Sequence, residues 1–184
     1  MDLCTYHSHC NFCDGKAPAE NFVKAAIEAG FHSYGISSHS PLPFETRWSL
    51  SKGNVEAYLT EIKRLQEKYA GQIELYVGME IDYLNDDWGP AVEYFQRMPL
   101  DYRIGSVHLV TEEQTGEIMD MDGKFEDFRE NLRLIFHDDL KYLVEAYFKA
   151  SSRMVELGGF DFVAHLDKIS MNGSLIDSTL TEQE

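Results

Sequence analysis

The side chains best suited to chemistry near the start of the chain are His7 and His9, separated by Ser8 behind a short apolar run containing Leu3 and Tyr6. On an extended strand the period of two places both imidazoles on one face. Asp14 follows five residues later, where a turn could return its carboxylate toward them. Neutral imidazole and carboxylate are ligands for borderline divalent metals. A His-x-His pair alone is common, so its meaning depends on the other donors and on the elements that carry them.

Those elements alternate. The spacing predicts a helix over residues 18–29, opened by Pro18 and stopped by Gly30. A strand over 31–37 follows, then a Pro-containing loop with His39, Glu45, Arg47 and Trp48. Asn54 is positioned to cap a second helix whose Val55, Leu59, Ile62 and Tyr69 share one side. Over 73–83, Ile73, Leu75, Val77, Met79 and Ile81 alternate with Glu74, Tyr76, Gly78, Glu80 and Asp82. If helices cover the aliphatic face, the other faces a barrel or cleft, where buried carboxylates require partners. A short helix over 91–96 precedes a strand over 101–110 and a polar surface loop over 112–116. Helices over 125–136 and 138–157 lead to a last strand over 160–165. This order predicts a single α/β domain with a mainly parallel sheet or barrel.

The alternation puts the candidate ligands at equivalent places. His7 and His9, His39, Glu80, His108 and His165 all fall at or just beyond strand ends. In barrels of alternating strands and helices, that end carries the chemistry. Five of the seven histidines therefore converge on one rim, with Asp14 beside them. His32, at a strand start, and His137, at a helix junction, read as surface or structural residues.

Composition narrows the function. A formal charge of −16, from 32 acidic and 16 basic residues, opposes contact with nucleic acid or anionic membranes. Phosphate esters remain compatible where metals or local cations reverse the field. No run approaches the ~20 apolar residues of a membrane span. Asp2 and the absence of an apolar stretch after it argue against a secretory leader. Cys4, Cys10 and Cys13 make no disulfide framework, and no second Cys-x-x-Cys completes a structural zinc site. Reduced thiols in a cytoplasmic protein are expected.

The ordered set His7-Ser8-His9, His39 after a strand, Gly78-Met79-Glu80, Ser106-Val107-His108 and Ala164-His165-Leu166-Asp167-Lys168 resembles the PHP (polymerase and histidinol phosphatase) family. The turn from Ser38 to Pro43 and the segment from His165 to Lys168 resemble its histidinol-phosphatase branch. The resemblance covers essentially the whole chain, residues 1–184, as one domain. It implies a distorted seven-stranded (β/α) TIM-like barrel with two or three divalent ions, zinc, iron or manganese, at its mouth. Carried over, His7, His9 and Glu80 hold the first ion, Glu80, His108 and His165 the second, and Asp14 and His39 the third. The family's later Asp-x-His does not occur after His165, and about five strands are countable in a fold that typically needs about 250 residues. The expectation is a PHP domain incomplete at its C-terminus, with exposed sheet edge that invites homo-oligomers.

The implied chemistry is phosphate-monoester hydrolysis, with L-histidinol phosphate the substrate the resemblance favours. Nucleotides, sugar phosphates or phosphotyrosyl proteins are the alternative substrates, and a catalytically silent metal-binding domain the alternative from another class. Glu80, His108 and Asp167 are the expected catalytic residues, Asp167 as an acid for the leaving group. Arg47 and Lys168 are the expected phosphate-binding cations. Asp82 is expected to orient a ligand or a water, and Arg103, of opposite parity to His108, to point away from the site.

Overall fold

The computed structural model describes residues 2–181, so residues 1 and 182–184 of the expected domain lie outside the described residues. Five strands form one wholly parallel sheet in the order β1 (Leu3–Thr5), β2 (Phe31–Ile36), β3 (Glu74–Asp82), β4 (Tyr102–Ser106), β7 (Phe162–Val163). Helices α1 (Ala19–Glu28) and α2 (Val55–Lys68) join the first three strands. The short α3 (Glu93–Gln96) leads into β4. Helices α4 (Phe125–Ile135) and α5 (Leu140–Leu157) precede β7, and α6 (Ser170–Gly173) follows it.

The sheet is strongly curled. In a flat sheet, four strand spacings would hold the edges about 19 Å apart. Yet the rings of His7, just past β1, and His165, just past β7, have centroids 5.8 Å apart. The chain therefore closes a half-barrel whose concave face looks inward.

Alternation along β3 decides what each face buries. Leu75, Val77, Met79 and Ile81 pack outward against Val23 and Ala26 of α1 and Tyr58, Ile62 and Leu65 of α2. Tyr76 faces inward and packs with Tyr6, Tyr102, Ile104 and Ala164. Tyr102 fills the concave floor because Gly35 and Gly78 leave room for it. A Cβ on either glycine would sit 2.2 Å from a Tyr102 ring or hydroxyl atom. The Tyr102 hydroxyl donates to the Tyr6 carbonyl at 2.6 Å, tying β4 to the end of β1 across the floor. A second core under α4 and α5 contains Phe128, Leu132, Leu143, Tyr147 and Met154.

The expected strand over 101–110 divides. Its ladder ends at Ser106 because the His108 N–H donates to the Asp82 carboxylate at 3.0 Å rather than to a neighbouring strand. The chain then enters an antiparallel hairpin, β5 (Leu109–Thr111) with β6 (Ile118–Asp120). The segment read as a polar loop is its turn, and Glu112 there is buried, accepting from the N–H groups of Gln114 and Thr115 and from the Tyr142 hydroxyl. Arg103 points away from the concave rim as expected, donating to the carbonyls of Phe95, Gln96 and Met98. Among the described residues no helix is long and apolar enough to cross a membrane.

Candidate metal centre

Glu80 is the hub. It lies on β3 at 0% exposure, and parallel pairing continues beyond β2 to set His39 opposite it. Backbone bonds lock this register: Glu80 N–H donates to the Ser38 carbonyl at 3.1 Å, and Ser40 N–H to the Glu80 carbonyl at 2.7 Å. Tyr58, fully buried on α2, reinforces the same place. Its hydroxyl lies 2.8 Å from the Ile36 carbonyl and 2.7 Å from that of Gly78.

Five imidazoles surround the Glu80 carboxylate. Oε2 lies 3.1 Å from His7 Nε2, 3.1 Å from His9 Nε2 and 3.2 Å from His39 Nδ1. Oε1 lies 3.2 Å from His165 Nε2 and 3.6 Å from His108 Nε2. Both Glu80 oxygens, His9 Nε2 and His39 Nδ1 are buried and none is directed as a hydrogen bond, despite the short separations. Leaving such groups unmatched is costly in a dry interior. Donor atoms that converge without bonding one another fit divalent ions, and the imidazole–carboxylate set suits borderline metals. Three compact groups form here: His7, Glu80 and His165; His9, His39 and Glu80; and His39, Asp82 and His108. A fourth joins His9 with Cys13 and Asp14. His9 and His39 thus share a group, whereas the resemblance implies different ions for them.

Carboxylates behind the ring orient it. Asp82 Oδ1 accepts from His108 Nδ1 at 2.7 Å, which turns Nε2 toward Glu80. Asp14 Oδ1 does the same for His9 Nδ1 at 2.9 Å. Such partners set the tautomer and strengthen the free nitrogen as a ligand.

Burial penalises charge at Glu80, yet the imidazoles around it hold its carboxyl well below the usual range. Burial also opposes charge on His9 and His108. The Cys13 thiol and the Glu80 carboxylate beside it nevertheless carry His9 up to about 11, and Asp82 carries His108 up to about 9. His39, dominated by burial, falls to about 4.

The remaining predicted residues are distributed around this ring. Lys168 reaches its edge, but its Nζ pairs with Asp122 Oδ1 at 2.7 Å. Asp122 Oδ2 in turn lies 3.8 Å from His108 Nε2. Arg47 is exposed and lines a cavity of about 470 Å³ with Phe44, Trp48, Leu109 and Asp120. Trp48 bridges that cavity to the ring, 4.8 Å from His39 between centroids, with its indole N–H donating to Asp120 at 2.8 Å. Asp167 is exposed on the turn after His165 and enters none of the four donor groups. His32 is exposed, 3.6 Å from Glu74, and His137 occupies the α4–α5 junction at φ 56°. Sequence reasoning passed over Asp120 and Asp122, and reads Cys13 as a reduced thiol without a metal, whereas it joins His9 and Asp14 in one donor group. The alternation of buried Met119 and Met121 with Asp120 and Asp122 is a period-two strand signal that would have exposed the first two.

A parallel α/β half-barrel with imidazole and carboxylate donors gathered at the carboxyl ends of its strands defines a rim-centred candidate metal site. The chain belongs to the PHP family, whose PHP domain model matches residues 5–183. It is 29% identical over 114 residues to a probable histidinol-phosphatase of Deinococcus radiodurans, a match covering 58% of this chain and 42% of that protein. The matched segment therefore spans less than half of that relative. Among solved structures, the Listeria monocytogenes protein hisK, provisionally assigned as a histidinol phosphatase, superposes with a TM-score of 0.77 at 23% identity. That match covers 98% of this chain and 75% of the other. Histidinol phosphate phosphatase from Lactococcus lactis, complexed with zinc, L-histidinol and phosphate, gives a TM-score of 0.61 at 19% identity. It covers 98% of this chain and 65% of that one. Both share the fold.

Proposed function

We propose that the chain is a metal-dependent phosphoesterase acting on a small phosphate monoester, with L-histidinol phosphate as the substrate. The observation that carries the proposal is the Glu80 carboxylate, wholly buried, with five imidazole nitrogens at 3.1 to 3.6 Å and neither oxygen hydrogen-bonded. The names of the Deinococcus and Lactococcus relatives support the choice of substrate. The zinc in the Lactococcus structure supports the choice of ion.

In this reading His7, His9 and Glu80 would hold one ion, Glu80, His108 and His165 a second, and Asp14 with His39 a third. Such ions neutralise phosphate oxygens and lower the pKa of a water toward ~7. The chain's own residues supply the rest. Asp82 keeps His108 in the tautomer whose Nε2 faces the centre. Lys168, held by Asp122 at the ring edge, meets a phosphate oxygen once the substrate competes for it. Asp122, beside His108, is better placed than the exposed Asp167 to take a proton from the attacking water and pass it to the leaving alkoxide. Trp48 walls the side on which the organic group lies, and Arg47 stands at its outer edge.

The test is turnover of the metal-loaded protein against a panel of phosphate monoesters, before and after chelation. Preference for histidinol phosphate, abolished by chelator, is expected. Preference for a nucleotide, sugar phosphate or phosphotyrosyl peptide would transfer the same chemistry to another substrate. Metal binding with no turnover on any ester would leave a metal-binding domain without phosphatase activity.

A further inference from the structure

The turn over residues 10–15 carries a donor that the phosphatase reading leaves unused. Cys10 is fully buried at its base, and its carbonyl accepts from Cys13 N–H at 3.0 Å and Gly15 N–H at 3.1 Å. The closure is tight: a Cβ on Gly15 would lie 2.5 Å from the Cys10 backbone. This fixes Cys13 and Asp14 against the edge of His9 that faces away from Glu80. Asp14 Oδ1 takes the His9 Nδ1 bond at 2.9 Å, and the Cys13 Sγ lies 3.4 Å from the same oxygen. Its other hydrogen-bonding contact is the Cys10 carbonyl at 3.5 Å.

The contrast with His108 is informative. There a carboxylate alone orients the imidazole. Here a thiol stands beside the carboxylate, and donor atoms of His9, Cys13 and Asp14 all lie within 4.8 Å of one another. Two donors bound at about 2.0–2.3 Å from one zinc-sized ion are at most about 4.6 Å apart, so small movements would seat an ion among the three. The buried, unbonded Glu80 oxygens and His39 Nδ1 lie on the other side of the same His9 ring, so this edge adjoins a cluster whose donors suit cations.

We propose that Cys13 is a sulfur ligand, acting with Asp14 and His9 on a divalent ion at this turn. On binding, the Cys13 S–H and His9 Nδ1–H bonds break, both protons pass to solvent, and the freed sulfur and nitrogen electron pairs form bonds to the ion. A thiolate among imidazole and carboxylate donors favours zinc, iron or cobalt over manganese or magnesium. The inference rests on the metal-binding reading above but adds a donor and a selectivity to it.

Cobalt(II) added to the reduced, metal-free full chain distinguishes the two. Visible absorption reports imidazole and carboxylate ligation, whereas near-ultraviolet sulfur-to-cobalt charge transfer requires a thiolate. Both are expected in the natural protein. Cys13→Ser should lose the near-ultraviolet band and keep the visible one, and Cys4→Ser should keep both. Visible absorption without charge transfer in the natural protein would overturn the cysteine ligand and leave the Glu80 centre standing. A band that survives Cys13→Ser would also overturn it. No cobalt spectrum at all would overturn the metal reading and this inference together. Independently of any variant, zinc should slow alkylation of Cys13 by about tenfold or more while the exposed Cys4 reacts unchanged. Equal Cys13 rates with and without zinc would sink the proposal.

Discussion

Glu80 carries a charge that this interior tolerates only with compensation, and the donors around it set what its loss would do. Glu80→Gln removes the anion on which five imidazoles converge and leaves a buried amide among them. Elemental analysis should show that Glu80→Gln and His9→Ala retain far less metal than the natural protein, whereas His32→Ala, exposed and remote, retains it all. Asp82→Asn should act one step back. The His108 ring loses its anionic partner, and metal affinity should fall by about 10–100-fold. A competition titration with a chelating dye would read this, and unchanged affinity would deny Asp82 its orienting role. Protonation gives a separate signature in the metal-free chain. The folded value of His108 lies above its ordinary 6.5, so its contribution is complete below that value and disappears as pH rises through about 9. His9 follows the same sign, with loss extending to about 11. Glu80, depressed, contributes above its ordinary 4.5 and loses that contribution as pH falls through its lower folded value. Thermal melts of chelated protein should therefore drop from near-neutral to alkaline pH, and a flat profile would contradict the raised values of His9 and His108.

At the scale of elements, the strands matter through what passes between them. β2 and β3 carry Gly35 and Gly78 where Tyr102 crosses the concave floor. Gly78→Ala would press a methyl group into that ring, and overpacking of this kind typically costs about 1–3 kcal/mol. Urea unfolding should show the loss, and unchanged stability would mean that the floor yields freely. The 3.6-residue stripes of α1 and α2 and the period-two alternation of β3 were legible because each is a local pattern matched to one buried face. The hairpin of β5 and β6 was not. Val107 to Val110 continue the apolar character of β4, and only the side chain of Asp82, distant in sequence, takes the His108 N–H and ends the ladder. β1 and β7 are shorter than the runs that suggested them for a related reason. His7, His9 and His165 leave the sheet to face Glu80.

For the whole molecule, curling of the sheet is the decisive event, since it brings ligands from its two edges onto one carboxylate. A metal bound only by the folded chain stabilises it in proportion to its occupancy, by about 2.7 kcal/mol at a hundredfold excess over Kd. Addition of zinc should raise the melting temperature and chelator should reverse it, with the effect absent in Glu80→Gln. A shift of equal size in that variant would place the stabilising ion elsewhere.

The sequence by itself determined which residues lie at strand ends, because donor type and hydrophobic period are both local. From these came the parallel α/β architecture and the convergence of His7, His9, His39, Glu80, His108 and His165. Only the tertiary structure decided how those donors group. Their distances depend on curvature, on Tyr102 crossing a glycine-lined floor, and on turns that no short window contains. It alone placed Asp122 against His108 and paired it with Lys168, and it set the Cys13 sulfur beside Asp14 at the edge of His9. Chain position says that such groups exist, but their chemistry depends on separations of a few ångströms, which packing sets.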